Sequence, residues 1–165
     1  MTTKTHVPVL EQPLGLGQIV RDMVALTKPR ITFMVAVTAA AGMWVAPGAM
    51  QPVDVVVALG ALALVVGSAN SFNCWLERDL DRLMARTKGR PLPAGRLSPG
   101  TAFTLAMMLM SVAVPLMMLA VNPLSGMLAV AALGIYVAVY TPLKTMTPAA
   151  LIVGAVPGAL PPLIG

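Results

Sequence analysis

Five stretches of the chain, at about 31–47, 54–75, 101–121, 124–141 and 148–165, run almost without a charged side chain. A helix needs about 20 mostly apolar residues to cross a bilayer. In lipid, every backbone N–H and C=O must be satisfied within the span. Runs of this length therefore predict an all-α polytopic membrane protein of about five transmembrane helices. Composition excludes the alternatives. A soluble domain is about a quarter charged, whereas this chain is 10% charged and 58% hydrophobic, with a mean hydropathy of +0.85. A membrane β-barrel would alternate in polarity, and these runs do not.

The net charge of +5 does not point to nucleic acid, because the basic residues flank the apolar runs. Lys4, Arg21, Lys28 and Arg30 precede the first run. Arg78, Arg82, Arg86, Lys88, Arg90 and Arg96 lie between the second and third, and Lys144 lies between the fourth and fifth. If the runs alternate across the bilayer, all of them fall on one side, which the positive-inside rule makes cytoplasmic. The N-terminus and a loop over 76–100 are then cytoplasmic. The first thirty residues lack a signal peptide's pattern and are poor in Arg for a mitochondrial transit segment, so a bacterial plasma membrane is the expected address.

Residues 1–30 form a polar segment with Pro8, Pro13 and Pro29, in which 18–27 is patterned as a surface helix. The apolar part, 31–165, reads as one domain. Asn122-Pro123 and Pro47-Gly48 punctuate it, and Pro115 and Pro157 lie inside runs. Gly154-x-x-x-Gly158 fits close helix packing in lipid. The last run stops at Gly165 within an apolar stretch, which predicts that the chain is part of a longer one.

One charged stretch stands out: NCWLERDLDRLMARTKGRPLPAGR, residues 73–96. If the second helix continues through it at about 100° per residue, Asn70, Asn73, Glu77 and Asp81 share an arc of about 80°. Asp79 falls on the opposite face, beside Arg82 and Arg86. Carboxylates one turn apart repel, and a divalent cation would compensate them. Mg²⁺ takes one or two carboxylates plus phosphate oxygens and waters, and Arg and Lys bind phosphate. The spacing therefore predicts a metal–diphosphate site at the cytoplasmic interface.

A plainer reading competes. Arg78, Arg82 and Arg96 serve equally as topology signals or headgroup contacts, and Asp79 is better read as an ion-pair partner of Arg82 or Arg86 than as a ligand. His6 reads as solvated. The single Cys74 excludes an intramolecular disulfide and a CxxC metal site and is expected to pack against a neighbour. Trp44, Trp75, Tyr136 and Tyr140 fit an interfacial aromatic belt, with a cavity-lining role for Tyr140 as the alternative.

Asn73-x-x-x-Glu77-x-x-x-Asp81 resembles the first aspartate-rich motif of the UbiA superfamily of intramembrane prenyltransferases. The longer string through LSP, with LTKPRIT at 26–32 and YTPLKTMTP…GAVPGALPPLIG at 140–165, resembles the haem-farnesylating branch. Cys74, where quinone-type members commonly carry Asp, favours that branch. The likeness covers about 26–165 and the N-terminal half of such a protein. Members carry further helices and a second acidic motif, neither of which this chain contains.

The resemblance implies an Mg²⁺-dependent enzyme that uses farnesyl diphosphate and haem B. Glu77 and Asp81 would hold the metal with Asn73 assisting, these three forming the catalytic set. Arg86, Lys88 and Arg90 would contact the diphosphate. Ionisation would give an allylic cation, attacked by a haem vinyl group and quenched by water. Association with haem A synthase or terminal oxidase assembly follows by analogy. The alternatives are a prenyltransferase for an aromatic quinone precursor, and an inactive membrane fragment whose charged loop binds anionic lipid. No His in the apolar part offers an axial haem ligand.

Overall fold

A computed structural model describes residues 15–47 and 50–164, all its regular structure being helical. Six helices follow in order: α1 (Leu16–Leu26), α2 (Pro29–Val45), α3 (Pro52–Leu83), α4 (Pro99–Val121), α5 (Pro123–Leu143) and α6 (Ala150–Ile164). Among the described residues each of the five apolar runs forms a helix over most of its length. Among the described residues α3, α4 and α5 are long and apolar enough to span a bilayer. α2 has 17 residues and meets α1 at a bend of 45°, while α6 has 15. The chain is a multi-pass membrane protein. His6, Lys4, Pro8 and Pro13 lie outside the described residues.

Proline sets the helix starts. Pro29, Pro52, Pro99 and Pro123 each occupy the first helical position, where a missing N–H costs nothing and φ is already helical. Ser98 and Asn122 cap α4 and α5 through the N–H groups of Thr101 and Ser125, at 3.0 and 2.7 Å. α4 widens to π-helix in its last turn, at Met117–Val121 just after Pro115, and α5 does so at Ile135–Tyr140, before a final α-helical turn.

α3 is the central element, packed along α4 and touching α1, α2 and α5. Small residues make these approaches. Ala39, Ala61, Ala106, Ala113 and Ala129 are fully buried, and Ser68 Oγ donates to the Ala106 carbonyl at 2.8 Å. This is how helices associate in lipid, where backbone proximity and polar bonds replace a hydrophobic drive. Gly42 lies directly against the Pro162 carbonyl where α2 crosses α6. Gly154 admits the Tyr140 ring, since a Cβ there would lie 2.7 Å from it, while Gly158 faces open space. Only the first of the two expected packing glycines therefore packs.

The expected 76–100 loop is shorter than that. α3 continues to Leu83, and only 84–98 leaves the helix. Polar atoms extend the helix past its apolar part: Asp79 pairs with Arg82 at 3.5 Å and with Arg78 at 3.6 Å, and Thr87 Oγ1 donates to the Asp81 carbonyl at 3.0 Å, covering an orphan acceptor of the last turn. A second core forms at this end from Leu26, Cys74, Leu92, Leu97 and Ala102, with Ile19, Met23 and Trp75 against it. It fastens α1 and the 84–98 loop to the end of α3.

Candidate active site

Because α3 is unbroken, Asn70, Asn73, Glu77 and Asp81 lie on one helix and, by its period, along one stripe. Asn70, Asn73 and Asp81 are buried, and the Glu77 side chain is 13% exposed. Asp79 is 66% exposed and turned away with Arg78 and Arg82, as its ion-pair reading required.

Three cations from three separate segments meet the stripe. Lys28 Nζ donates to Asn73 Oδ1 at 2.8 Å. Arg90 Nη1 donates to Asp81 Oδ2 at 2.7 Å. Lys144, at the end of α5, pairs with Glu77. Two carboxylates against three cations leave one positive charge in excess, so the site favours an added anion. Lys28 is the sharpest case. It makes no ion pair among the described residues, and burial pushes its pKa below the usual lysine value. It is also the one non-glycine residue there with positive φ, 49°. A bulky residue in the left-handed region is strained and persists where its surroundings hold it; here it lies between Thr27 and Pro29, at the bend from α1 to α2.

The amide of Asn73 is oriented from its other side. Thr141 Oγ1 donates to the Tyr136 carbonyl at 2.7 Å, so towards Asn73 it accepts, and Asn73 Nδ2 lies 3.4 Å away. That leaves Oδ1 facing Lys28. Tyr136 stacks on Tyr140 with centroids 5.3 Å apart, and Lys144 Nζ lies 5.4 Å over the Tyr140 ring. These tyrosines are therefore half-buried neighbours of the stripe. Tyr136, not Tyr140, lines the cavity. Trp75 likewise packs inward, on Phe103, while Trp44 at the end of α2 stays 90% exposed and suits a belt.

Two hollows adjoin the stripe. An apolar cavity of about 180 Å³ lies between α2, α3, α5 and α6, with Asn70 and Tyr136 at its polar end and Leu62, Val65, Leu133 and Pro157 along its walls. A smaller hollow of about 120 Å³ is bounded by Lys28, Cys74, Asp81, Arg90 and Leu92. A charged head beside an apolar cavity suits an amphiphile with an anionic end.

Of the expected site residues, Asn73, Glu77, Asp81 and Arg90 come together. Arg86 and Lys88 are exposed and make no ion pair or hydrogen bond to the stripe among the described residues. Lys28 and Lys144 take part where sequence reasoning had counted them only as topology markers. Both lie in stretches already noted, LTKPRIT and YTPLKT. Among the described residues no three His, Cys, Asp or Glu side chains converge into a ready cage for a metal ion. The donor set is two carboxylates and an amide, hard oxygens that fit Mg²⁺ sharing its coordination with a phosphate.

The profile of the UbiA prenyltransferase family matches residues 35–165. The protoheme IX farnesyltransferase of Anaeromyxobacter sp. (strain Fw109-5) is 50% identical over 148 residues, covering 90% of this chain and 50% of that protein. Its namesake in Myxococcus xanthus is 49% identical, covering 92% and 51%, and that of Acidiphilium cryptum 43% identical, covering 99% and 53%. The chain thus spans about half the length of the curated relatives it matches. No solved structure matches it.

Proposed function

The chain belongs to the UbiA prenyltransferase family, and we propose that it forms the diphosphate-binding half of an enzyme transferring a farnesyl group from farnesyl diphosphate to a vinyl group of haem B, giving haem O. The observation that carries this reading is the stripe of Asn73, Glu77 and Asp81, met by Lys28, Lys144 and Arg90 and opening beside an apolar cavity. The choice of farnesyl and haem rests on what the similar proteins are named for.

Glu77 and Asp81 would hold Mg²⁺, with Asn73 Oδ1 assisting. When bound, the metal neutralises diphosphate charge and stabilises the leaving group. The protein's own part is electrostatic. Lys28, Arg90 and Lys144 are placed to exchange their present oxygen partners for phosphate oxygens, and preorganised charge of this kind is often the largest catalytic contribution. The prenyl chain lies in the apolar cavity, whose walls exclude water from the allylic carbon. The bond from the allylic carbon to the diphosphate oxygen breaks, and diphosphate leaves with the bonding pair. The vinyl carbon attacks the allylic cation to form the new C–C bond, water adds to the resulting cation, and the water's proton leaves. By the positive-inside rule the charged end faces the cytoplasm of a bacterial plasma membrane.

The test is farnesyl diphosphate binding to the chain in nanodiscs, with and without Mg²⁺. Binding that needs the metal, and falls at least about tenfold in Glu77→Gln and in Asp81→Asn, supports the site, since removing an ionic partner costs more than one decade. Metal-independent binding, as expected of a lipid-binding loop, overturns it. A full-length relative supplied with haem B or with 4-hydroxybenzoate separates the haem acceptor from a quinone precursor.

A further inference from the structure

A polar clasp lies behind the site, and one of its partners falls outside the residues matched by the family profile. Arg96 forks onto Asp22, Nε to Oδ2 at 2.9 Å and Nη2 to Oδ1 at 3.2 Å, while its Nη1 donates to the Gly89 carbonyl at 3.3 Å. Asp22 lies on α1, before residue 35 where the profile begins, and is 3% exposed. Gly89 immediately precedes Arg90, which reaches Asp81. One guanidinium thus joins α1 to the backbone that carries a cation of the stripe.

Thr87 and Arg90 tie the first half of the loop to Asp81, and the second half is left to packing and to that join. The 84–98 segment has no regular structure to hold it. Its turns close on themselves, Arg96 N to the Pro91 carbonyl at 2.9 Å and Gly95 N to the Leu92 carbonyl at 3.0 Å, with Gly95 at φ +74°. Leu92 and Leu97 pack on Leu26 and Cys74, but apolar packing is non-directional. A bidentate Arg–carboxylate pair has a fixed geometry and sets the orientation that packing leaves open.

We infer that Asp22 and Arg96 are positioning residues: α1 acts as a clasp that holds the 84–98 loop so that Arg90 stands at Asp81, ready for the diphosphate. The last clause rests on the diphosphate reading of the stripe; the clasp itself does not.

The single Cys74 lies beneath the clasp, buried between Leu26 and Leu92, and reports on it without reference to function. In the intact chain in nanodiscs, maleimide labelling of Cys74 should be at least about tenfold faster in Asp22→Asn and in Arg96→Gln. The double variant should be no faster than the faster single, because coupled partners are not additive. Labelling unchanged in both singles, or multiplying in the double, overturns the clasp. Binding of Mg²⁺ with inorganic pyrophosphate reads the positioning. Asp22→Asn should weaken it about tenfold in the native background and leave it unchanged in an Arg90→Gln background, since its effect runs through Arg90. An equal loss in both backgrounds, as general loosening would give, overturns the positioning role. If the unaltered chain binds no pyrophosphate, the functional reading has failed, and the labelling cycle alone decides the clasp.

Discussion

Lys28 Nζ hydrogen-bonds Asn73 Oδ1 at 2.8 Å across 45 positions of sequence, and Lys28 holds a left-handed backbone to do so. Asn73 is buried and accepts this bond in place of a full negative charge, so Lys28 is the cation of the stripe with the least compensation. Lys28→Met keeps the apolar stem and removes the charge. A hydrogen bond to a charged group is worth about 1.5–3 kcal/mol, so pyrophosphate affinity in the presence of Mg²⁺ should fall roughly tenfold to hundredfold. Calorimetry checks this, with helical content by circular dichroism unchanged. Undiminished affinity would remove Lys28 from the site.

Asp79 provides the contrast within the same motif. It is 66% exposed and, among the described residues, pairs with Arg78 and Arg82 at 3.5–3.6 Å. Exposed pairs of this kind contribute about 0–1 kcal/mol. Asp79→Asn should therefore change metal-dependent pyrophosphate affinity by less than about threefold, while Glu77→Gln, two residues earlier, releases Lys144 and abolishes the metal dependence. If the two variants behave alike, the division of the motif into two faces is wrong.

That division was legible in the sequence because it rests on helical period alone. Asn73, Glu77 and Asp81 needed only an unbroken α3 to align. The basic side of the site was half legible. Arg90 was within reach of Asp81 by sequence distance, and Lys28 and Lys144 were not, because their approach depends on the bend before Pro29 and on the end of α5. Charge counting assigns such residues to one side of the membrane and says nothing of which carboxylate they meet. Arg86 and Lys88 failed for the converse reason: proximity in sequence put them beside the stripe, but α3 stops at Leu83 and the loop turns their side chains outward. Asp22 carried no signal at all, being one acid in an amphipathic helix until Arg96 folds back onto it. Helix count by length was similarly limited, since α2 and α6 are apolar but short.

The cavity can be tested separately from the charged head. Gly158 lines it, and a Cβ there meets nothing within 4 Å, so a side chain can start into the cavity from this position without displacing backbone. Gly158→Phe should leave Mg²⁺-dependent pyrophosphate binding intact and weaken farnesyl diphosphate. Burial of a CH₂ contributes about 0.8 kcal/mol, so excluding two prenyl carbons costs roughly tenfold. Shorter prenyl diphosphates should be less affected. Equal losses for pyrophosphate and farnesyl diphosphate would mean that the cavity is not where the chain goes. Gly42 is no substitute target, because a side chain there collides with the Pro162 carbonyl and separates α2 from α6.

The Asp22–Arg96 pair sets a pH dependence whose sign follows from geometry. The Arg96 hydrogen bonds hold the Asp22 carboxyl below its usual pKa, outweighing the opposing effect of burial. A carboxylate with a depressed folded-state pKa adds stability that is fully present above its unfolded value of about 3.9. That stability is lost as pH falls through the folded value, because the unfolded chain then binds the proton first. Removing one partner of a fully buried pair costs about 3–5 kcal/mol. The Arg96 side chain keeps 27% exposure, which lowers the expectation to about 2 kcal/mol. Denaturant unfolding in mixed micelles should show Asp22→Asn less stable than the native chain by about this amount at neutral pH. The gap should begin to close as the pH drops below about 4, where the unfolded chain takes up the proton that native Asp22 still refuses, and should be gone once the pH is below the folded-state value. Subtracting the variant cancels the other carboxylates, so the closing gap isolates Asp22. A gap that stays constant down to about pH 2 would mean that the carboxylate charge plays no part in holding α1 to the loop.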